Sequence, residues 1–264
     1  MAQSKTPSAK TPDKSPALPS GAAAGMPLFY RQITALDASR CVGKSLKTSV
    51  GFDFARNTNV VMLNAAEFEQ GARIYPIVFA SAPNPAALAI LGLRDGENLF
   101  VDANGEWKPN TYIPAYVRRY PFIFHRSEDG QQYTLCIDEA SGALEDGAER
   151  PLFVDDAPSD IAKGALEFCA AYQRDNELTR EFVKELAKNQ LLVPNQAQVT
   201  LQGGENLALA GFELIDRAKF DALPSFVLTD WRKRGWLGLA YAHFISLACF
   251  GDLIERAGKK QVLM

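Results

Sequence analysis

The residues best suited to chemistry cluster in mid-chain, where Tyr112-Ile113-Pro114-Ala115-Tyr116-Val117-Arg118-Arg119-Tyr120-Pro121-Phe122 packs four aromatics, two prolines and two arginines into eleven positions. Aromatic rings and arginine are enriched where proteins recognise other polypeptides. Read as part of a strand over 112–125, the segment sends Arg118 and Arg119 to opposite faces, so at least one leans toward a covered side and needs a carboxylate. Asp95, Glu97, Asp102 and Asp138 are the candidate partners. Two outcomes stay open: an internal arginine–acid tie packed with rings, or a ligand-binding surface formed by Tyr112, Tyr116, Arg118, Arg119, Tyr120 and Phe122 with Asp95, Asp138 and His243.

Other chemistry is sparse. His125 and His243 are the only histidines, which excludes a three-histidine metal centre, and no metal or cofactor is expected. A lone histidine in an apolar helix such as His243 reads first as a packed side chain bonded to a backbone carbonyl, with a general base as the other reading. No G-x-S-x-G elbow occurs, and Gly43-Lys44-Ser45 resembles a Walker ending with Ala38 where the first glycine should stand. Cys41 lies close enough in sequence to Lys44 for its thiol pKa to be lowered, but an isolated cysteine reads first as inert packing. Asp138 and Glu139 adjoin each other and on a strand point to opposite faces, so they make a poor acid/base pair.

The elements that must position these groups change character near residue 155. Before it the pattern is strand-like: Val60–Leu63, Tyr75–Phe79, an Asp95-Gly96 turn before Leu99-Phe100-Val101 that reads as a hairpin, a second turn at Asn104-Gly105, and strands over 112–125 and 133–137 around Glu128-Asp129-Gly130. A short helix fits 65–73. Beyond it Ser159 reads as a helix cap, followed by Ile161, Ala165, Phe168, Cys169, Tyr172, Phe182, Val183 and Leu186 at helical spacing until Pro194, as one helix or two joined near Asp175-Asn176. A hairpin over 198–215, a short helix over 218–223 and a helical region over 226–256 follow. The expected fold class is α+β, a mostly antiparallel sheet in the N-terminal half packed with helices from the C-terminal half. Residues 1–25, rich in proline, serine and lysine, read as a disordered tail; 26–258 as one domain; 259–264 as a C-terminal tail.

Composition narrows the function classes. Of 264 residues, 28 are Lys or Arg and 31 are Asp or Glu, a net charge of −3, so no global positive field favours nucleic acid. Four scattered cysteines fit a reduced, cytoplasmic chain, and no secretory signal is read at the N-terminus. The apolar run 236–251 reads as a helix buried on more than one side, shorter than the ~20 residues of a bilayer span, so no integral membrane segment is expected.

Several stretches together resemble the SapC family of bacterial proteins: Asn57-Thr58-Asn59, Tyr75–Phe79, Gly92–Asp102, Tyr112–Phe122, Cys136–Glu139, Leu192–Ala197 and Tyr241–Leu247, spread in order over 28–256. That family takes its name from a surface-layer gene cluster, and the resemblance implies a soluble accessory to making or exporting surface-array protein, with no catalytic residues to carry over. The same letters also denote a transporter permease, a reading that would need several apolar spans. The resulting expectation is a non-catalytic protein that binds a polypeptide partner. The alternatives are an enzyme that modifies a protein or peptide with an Arg/Asp/His cleft, and a structural subunit of a larger complex.

Overall fold

A computed structural model of the chain describes residues 26–80, 83–126, 132–201 and 204–262. The expected tail of residues 1–25, the Glu128-Asp129-Gly130 turn, Gly203 and residues 263–264 lie outside the described residues.

In chain order the first half forms β1 (Ile33–Ala35), β2 (Lys44–Leu46), β3 (Val60–Met62), the single-turn helix α1 (Phe68–Gly71), β4 (Ile77–Ala80), β5 (Ala86–Ile90), α2 (Ala115–Arg118), β6 (Phe122–Arg126), β7 (Tyr133–Asp138) and β8 (Leu144–Asp146). After β9 (Phe153–Val154) and β10 (Ala157–Pro158) come α3 (Asp160–Lys188), β11 (Leu192–Thr200), β12 (Asn206–Ile215), α4 (Arg217–Asp221), α5 (Ser225–Arg234), α6 (Trp236–Ser246) and α7 (Cys249–Val262). The fold is α+β, and every described strand pair is antiparallel. The largest sheet has the order β11-β12-β4-β5-β3, so a hairpin from the C-terminal half completes a sheet begun by N-terminal strands. A second sheet runs β1-β7-β6, and β2 pairs with β8.

Local chemistry explains why these segments fold as they do. In β12, Leu207 and Leu209 alternate into the core, and the register then slips so that Phe212 and Ile215 continue the buried side. The slip leaves Gly211 unpaired at φ +87°, a bulge that favours glycine. Pro194 does not end a helix as the sequence suggests. The helix stops at Lys188, and Pro194 sits in β11 on the sheet edge, where a missing donor is tolerated.

The Ser159 side chain accepts from the Ala162 N–H at 3.4 Å and starts α3. That helix runs unbroken through Asp175-Asn176 for 29 residues, about 44 Å at 1.5 Å per residue. Its length lets it serve two cores. Ile161, Ala165 and Cys169 pack with Phe122, Leu135, Ile137 and Leu152, while Tyr172, Phe182, Val183 and Leu186 enter the main core. There the fully buried Phe182 meets Phe68, Phe79, Trp231 and Trp236.

Two sequence expectations fail locally. Residues 112–120 are not a strand: Pro114 precedes a helical turn, its carbonyl accepts from the Val117 and Arg118 N–H groups, and strand geometry begins only at Phe122, after a cis Tyr120-Pro121 bond. The Asp95-Gly96 turn brings Leu99 N–H onto the Leu91 carbonyl without making a strand pair. The chain instead doubles back around Asn104-Gly105, where Val101 bridges to Trp107.

The apolar region from residue 236 is longer than the sequence reading allows. Taken through α7, Trp236–Lys259 spans 24 residues, and its most apolar window has a mean hydropathy of 1.6 with 28% of it buried. The stretch divides at Leu247-Ala248 into α6 and α7. One side of α6 is sealed by Trp236, Ala240, His243 and Ser246, but the face carrying Leu237, Tyr241 and Phe244 is partly or fully exposed, contrary to the expectation of more than one buried side.

Candidate functional site

Because Arg118 ends α2 and Arg119 caps it, the two side chains leave a helical turn roughly 100° apart instead of the opposite faces of a strand. Both reach one groove, of about 190 Å³, walled by Leu46, Phe122, Ile161, Ala165, Phe168 and Cys169. The turn is held by the buried Glu67. Its Oε1 accepts from the Ala115 N–H at 2.6 Å and the Tyr112 hydroxyl at 2.9 Å, and its Oε2 accepts from the Asn64 N–H at 2.8 Å. Burial raises the Glu67 pKa, and those three donors work against the rise.

Arg118 is exposed. It donates from Nε to the Ile113 carbonyl at 3.0 Å and from Nη2 to the Tyr112 hydroxyl at 3.0 Å, with its guanidinium 5.2 Å from the Phe168 ring centre. Tyr112 is thereby a link between Glu67 and Arg118. Burial, with Glu67 beside it, pushes the Tyr112 hydroxyl up to about 12, so it stays protonated.

Arg119 is largely enclosed and takes aromatic faces where an acid was expected. Its guanidinium lies 4.2 Å from the Tyr116 ring centre, 4.4 Å from Tyr172 and 5.7 Å from Tyr30. Desolvated cation–π contacts of this kind are worth about 2 kcal/mol or more. Burial raises the pKa of all three tyrosines, so the rings are neutral and leave the guanidinium charge uncancelled. The Arg119 Nε is buried without an acceptor. No carboxylate among the described residues forms an ion pair with Arg118 or Arg119.

The remaining expected site residues separate. Phe122 lines the groove, and its carbonyl accepts from the Tyr30 hydroxyl at 2.6 Å. Tyr120 stacks on Phe54 at 4.1 Å and donates to Asp138 Oδ2 at 3.1 Å. Asp138 is fully buried and forms no ion pair with an arginine side chain among the described residues: it also accepts from the backbone N–H groups of Arg31, Gln32 and Ala140, tying the chain at β1 to the end of β7. Asp95 is exposed on the turn whose Arg94 pairs with Glu97 and, bidentately, with Glu205.

His243 is sealed in the core. Its Nδ1 donates to the Ile77 carbonyl at 2.7 Å and its Nε2 accepts from the Ile215 N–H at 3.2 Å, so both nitrogens serve the sheet and neither meets an open cleft. Nor is there an activated thiol. Burial raises the pKa of Cys41, and pushes that of Cys169 in the groove wall up to about 11. No cluster of three or more His, Cys, Asp or Glu suited to a metal occurs among the described residues.

The SapC family model matches residues 36–253, a stretch that holds the groove and both arginines but not Tyr30, Arg31 or Gln32. The chain belongs to the SapC family. No curated protein and no solved structure matches it.

What the SapC groove can do follows from its walls: hold an apolar group, with the exposed Arg118 guanidinium near its Phe168 wall. Sequence reasoning missed Tyr172, Tyr30, Glu67 and Leu46. A signal existed for the α3 wall, since Ile161, Ala165, Phe168, Cys169 and Tyr172 form one helical stripe. Nothing in the sequence paired that stripe with Arg118 and Arg119. A larger hollow of about 400 Å³ lies between the β11–β12 end and α7. The charges lining it, Glu255 and Lys259, pair with each other, which leaves none for a ligand.

Proposed function

We propose that this SapC-family chain is a non-catalytic accessory protein, working in the cytoplasm, that binds a polypeptide partner in surface-layer or secreted-protein biogenesis. One observation carries the reading: two arginines without ion-pair partners among the described residues border an apolar groove, Arg118 exposed and Arg119 with its head in an adjoining cluster of tyrosines. Arginine and tyrosine at the rim of an apolar pocket are the residue types that dominate binding energy at protein interfaces. The four cysteines, all free and buried, fit a reducing compartment. Affinity capture from the native host, with wild type against a variant carrying Arg118→Ala and Arg119→Ala, tests it. A partner held by the wild type and released by the variant supports the reading, and equal recovery of the same partners sinks it.

The structural-subunit reading draws on a different surface, where Phe226 is 76% and Ile245 64% exposed. In the same capture a partner lost with Ile245→Lys and kept by the arginine variant would favour it.

A further inference from the structure

We infer that the groove captures the C-terminal residue of a polypeptide, with an apolar last side chain between Phe122, Phe168 and Leu46 and its α-carboxylate on Arg118, in the field of the enclosed Arg119. This rests on the polypeptide-binding reading above and names the part of the partner that is read.

Size comes first. At about 190 Å³ the groove is smaller than the ~300–1,000 Å³ of pockets that enclose drug-sized ligands, and matches a single large side chain. Its wall chemistry comes second. Leu46, Phe122, Ile161, Ala165, Phe168 and Cys169 are apolar or protonated, and among the described residues Arg118 and Arg119 are the charged residues that border it.

Charge decides the rest. Arg119 keeps its charge between neutral rings, and Arg118 meets no carboxylate in an ion pair among the described residues: the Tyr112 hydroxyl that accepts from it donates in turn to Glu67, which already accepts from three donors. The exposed Arg118 head, 5.2 Å from the centre of the Phe168 ring in the groove wall, is the guanidinium an incoming carboxylate oxygen can reach, and the Arg119 charge lies behind it. Guanidinium forks match carboxylates in shape as well as charge. An internal Asp or Glu brings the carboxylate but no apolar side chain on the same Cα. Only the last residue of a chain carries both within the reach of a one-residue groove, the carboxylate-capture mode of peptide recognition.

The test uses the full chain and three labelled peptides read by fluorescence anisotropy: Gly-Ser-Gly-Ser-Leu as the free acid, the same peptide as the C-terminal amide, and a free acid ending in Gly. The free-acid Leu peptide is expected to saturate below about 1 mM, with the amide and the Gly-ended peptide each weaker by roughly tenfold. Arg118→Ala, at an exposed position, should lose about tenfold for the acid and little for the amide, and Ala165→Trp should fill the groove and abolish binding. Thermal melts confirm that both variants fold. Equal binding of acid and amide, or no binding of the free-acid Leu peptide to folded wild type, overturns the inference. A captured partner that depends on Arg118 yet binds unchanged after removal of its last three residues also overturns it, while leaving the polypeptide reading intact.

Discussion

The Arg119 guanidinium lies 4.4 Å from the centre of the Tyr172 ring, and that contact joins the α2 turn to the middle of α3. Tyr172 is buried and Arg119 partly so, and the Tyr116 ring centre lies 4.2 Å from the same cation. A charge held by rings instead of an acid is fixed in place but still able to attract an anion. The groove therefore owes its character to a packing contact between segments far apart in sequence.

Removing that ring should cost stability and binding together. Tyr172→Ala is expected to lose about 3–5 kcal/mol in urea unfolding, the range for truncating a buried aromatic, and to release the captured partner. Tyr172→Phe keeps the ring and gives up only a long 3.8 Å contact from its hydroxyl to Met62 Sδ, so it should stay within about 1 kcal/mol of wild type and keep the partner. A Phe variant as damaged as the Ala variant would place the role in the hydroxyl.

Asp138 should behave as a brace. Its two oxygens accept from three backbone N–H groups and the Tyr120 hydroxyl, so Asp138→Asn puts a donor where acceptors are needed and should cost about 2–3 kcal/mol. Asp95→Ala, on an exposed turn, should change stability by less than about 0.5 kcal/mol. At a temperature where all forms are folded, neither change should alter partner capture. Loss of the partner with folded Asp95→Ala would return that carboxylate to the site.

His243 makes stability depend on pH in a defined direction. Burial lowers its pKa from 6.5 to about 4, so between those values the unfolded chain takes up a proton that the folded protein refuses. Its contribution is complete above pH 6.5 and is lost as the pH falls toward 4, by about 3 kcal/mol over that window. His243→Asn does not titrate, so its stability should fall less than that of wild type between pH 7 and pH 4 in denaturant titrations. Parallel curves for the two proteins would show that His243 is not the titrating group.

Much of the framework was legible in the sequence, because periodicity and caps are local signals. Ser159 and the stripe from Ile161 to Leu186 specify α3, and the packed reading of His243 follows from its apolar helix. The residues that carry the family resemblance around Gly92 turn out to build a loop. The Asn59 carbonyl accepts from the Leu91 and Gly92 N–H groups, Asn98 bonds the Ala55 carbonyl and the Phe100 N–H, and a Cβ on Gly92 would stand 1.9 Å from the Glu97 carbonyl oxygen.

The groove was only half legible. Tyr112, Tyr116, Val117 and Tyr120 have the propensities of a strand, but Pro114 opens a helical turn and the Glu67 carboxylate holds its first N–H. That tertiary bond, invisible to local reading, decides where Arg118 and Arg119 go. Arg119 meets rings in place of the expected acid for a related reason: its partners include Tyr30 and Tyr172, which no spacing rule connects to it.

Site-specific photo-crosslinking in the native host tests the central claim most directly. A benzophenone amino acid replaces Leu46 at the groove wall, or Val154 at an exposed control position. A polypeptide adduct should form from position 46, be absent from position 154, and disappear when Arg118→Ala and Arg119→Ala are added to a protein that still folds. Adducts of equal yield from both positions, or one at position 46 that survives loss of both arginines, would contradict the account.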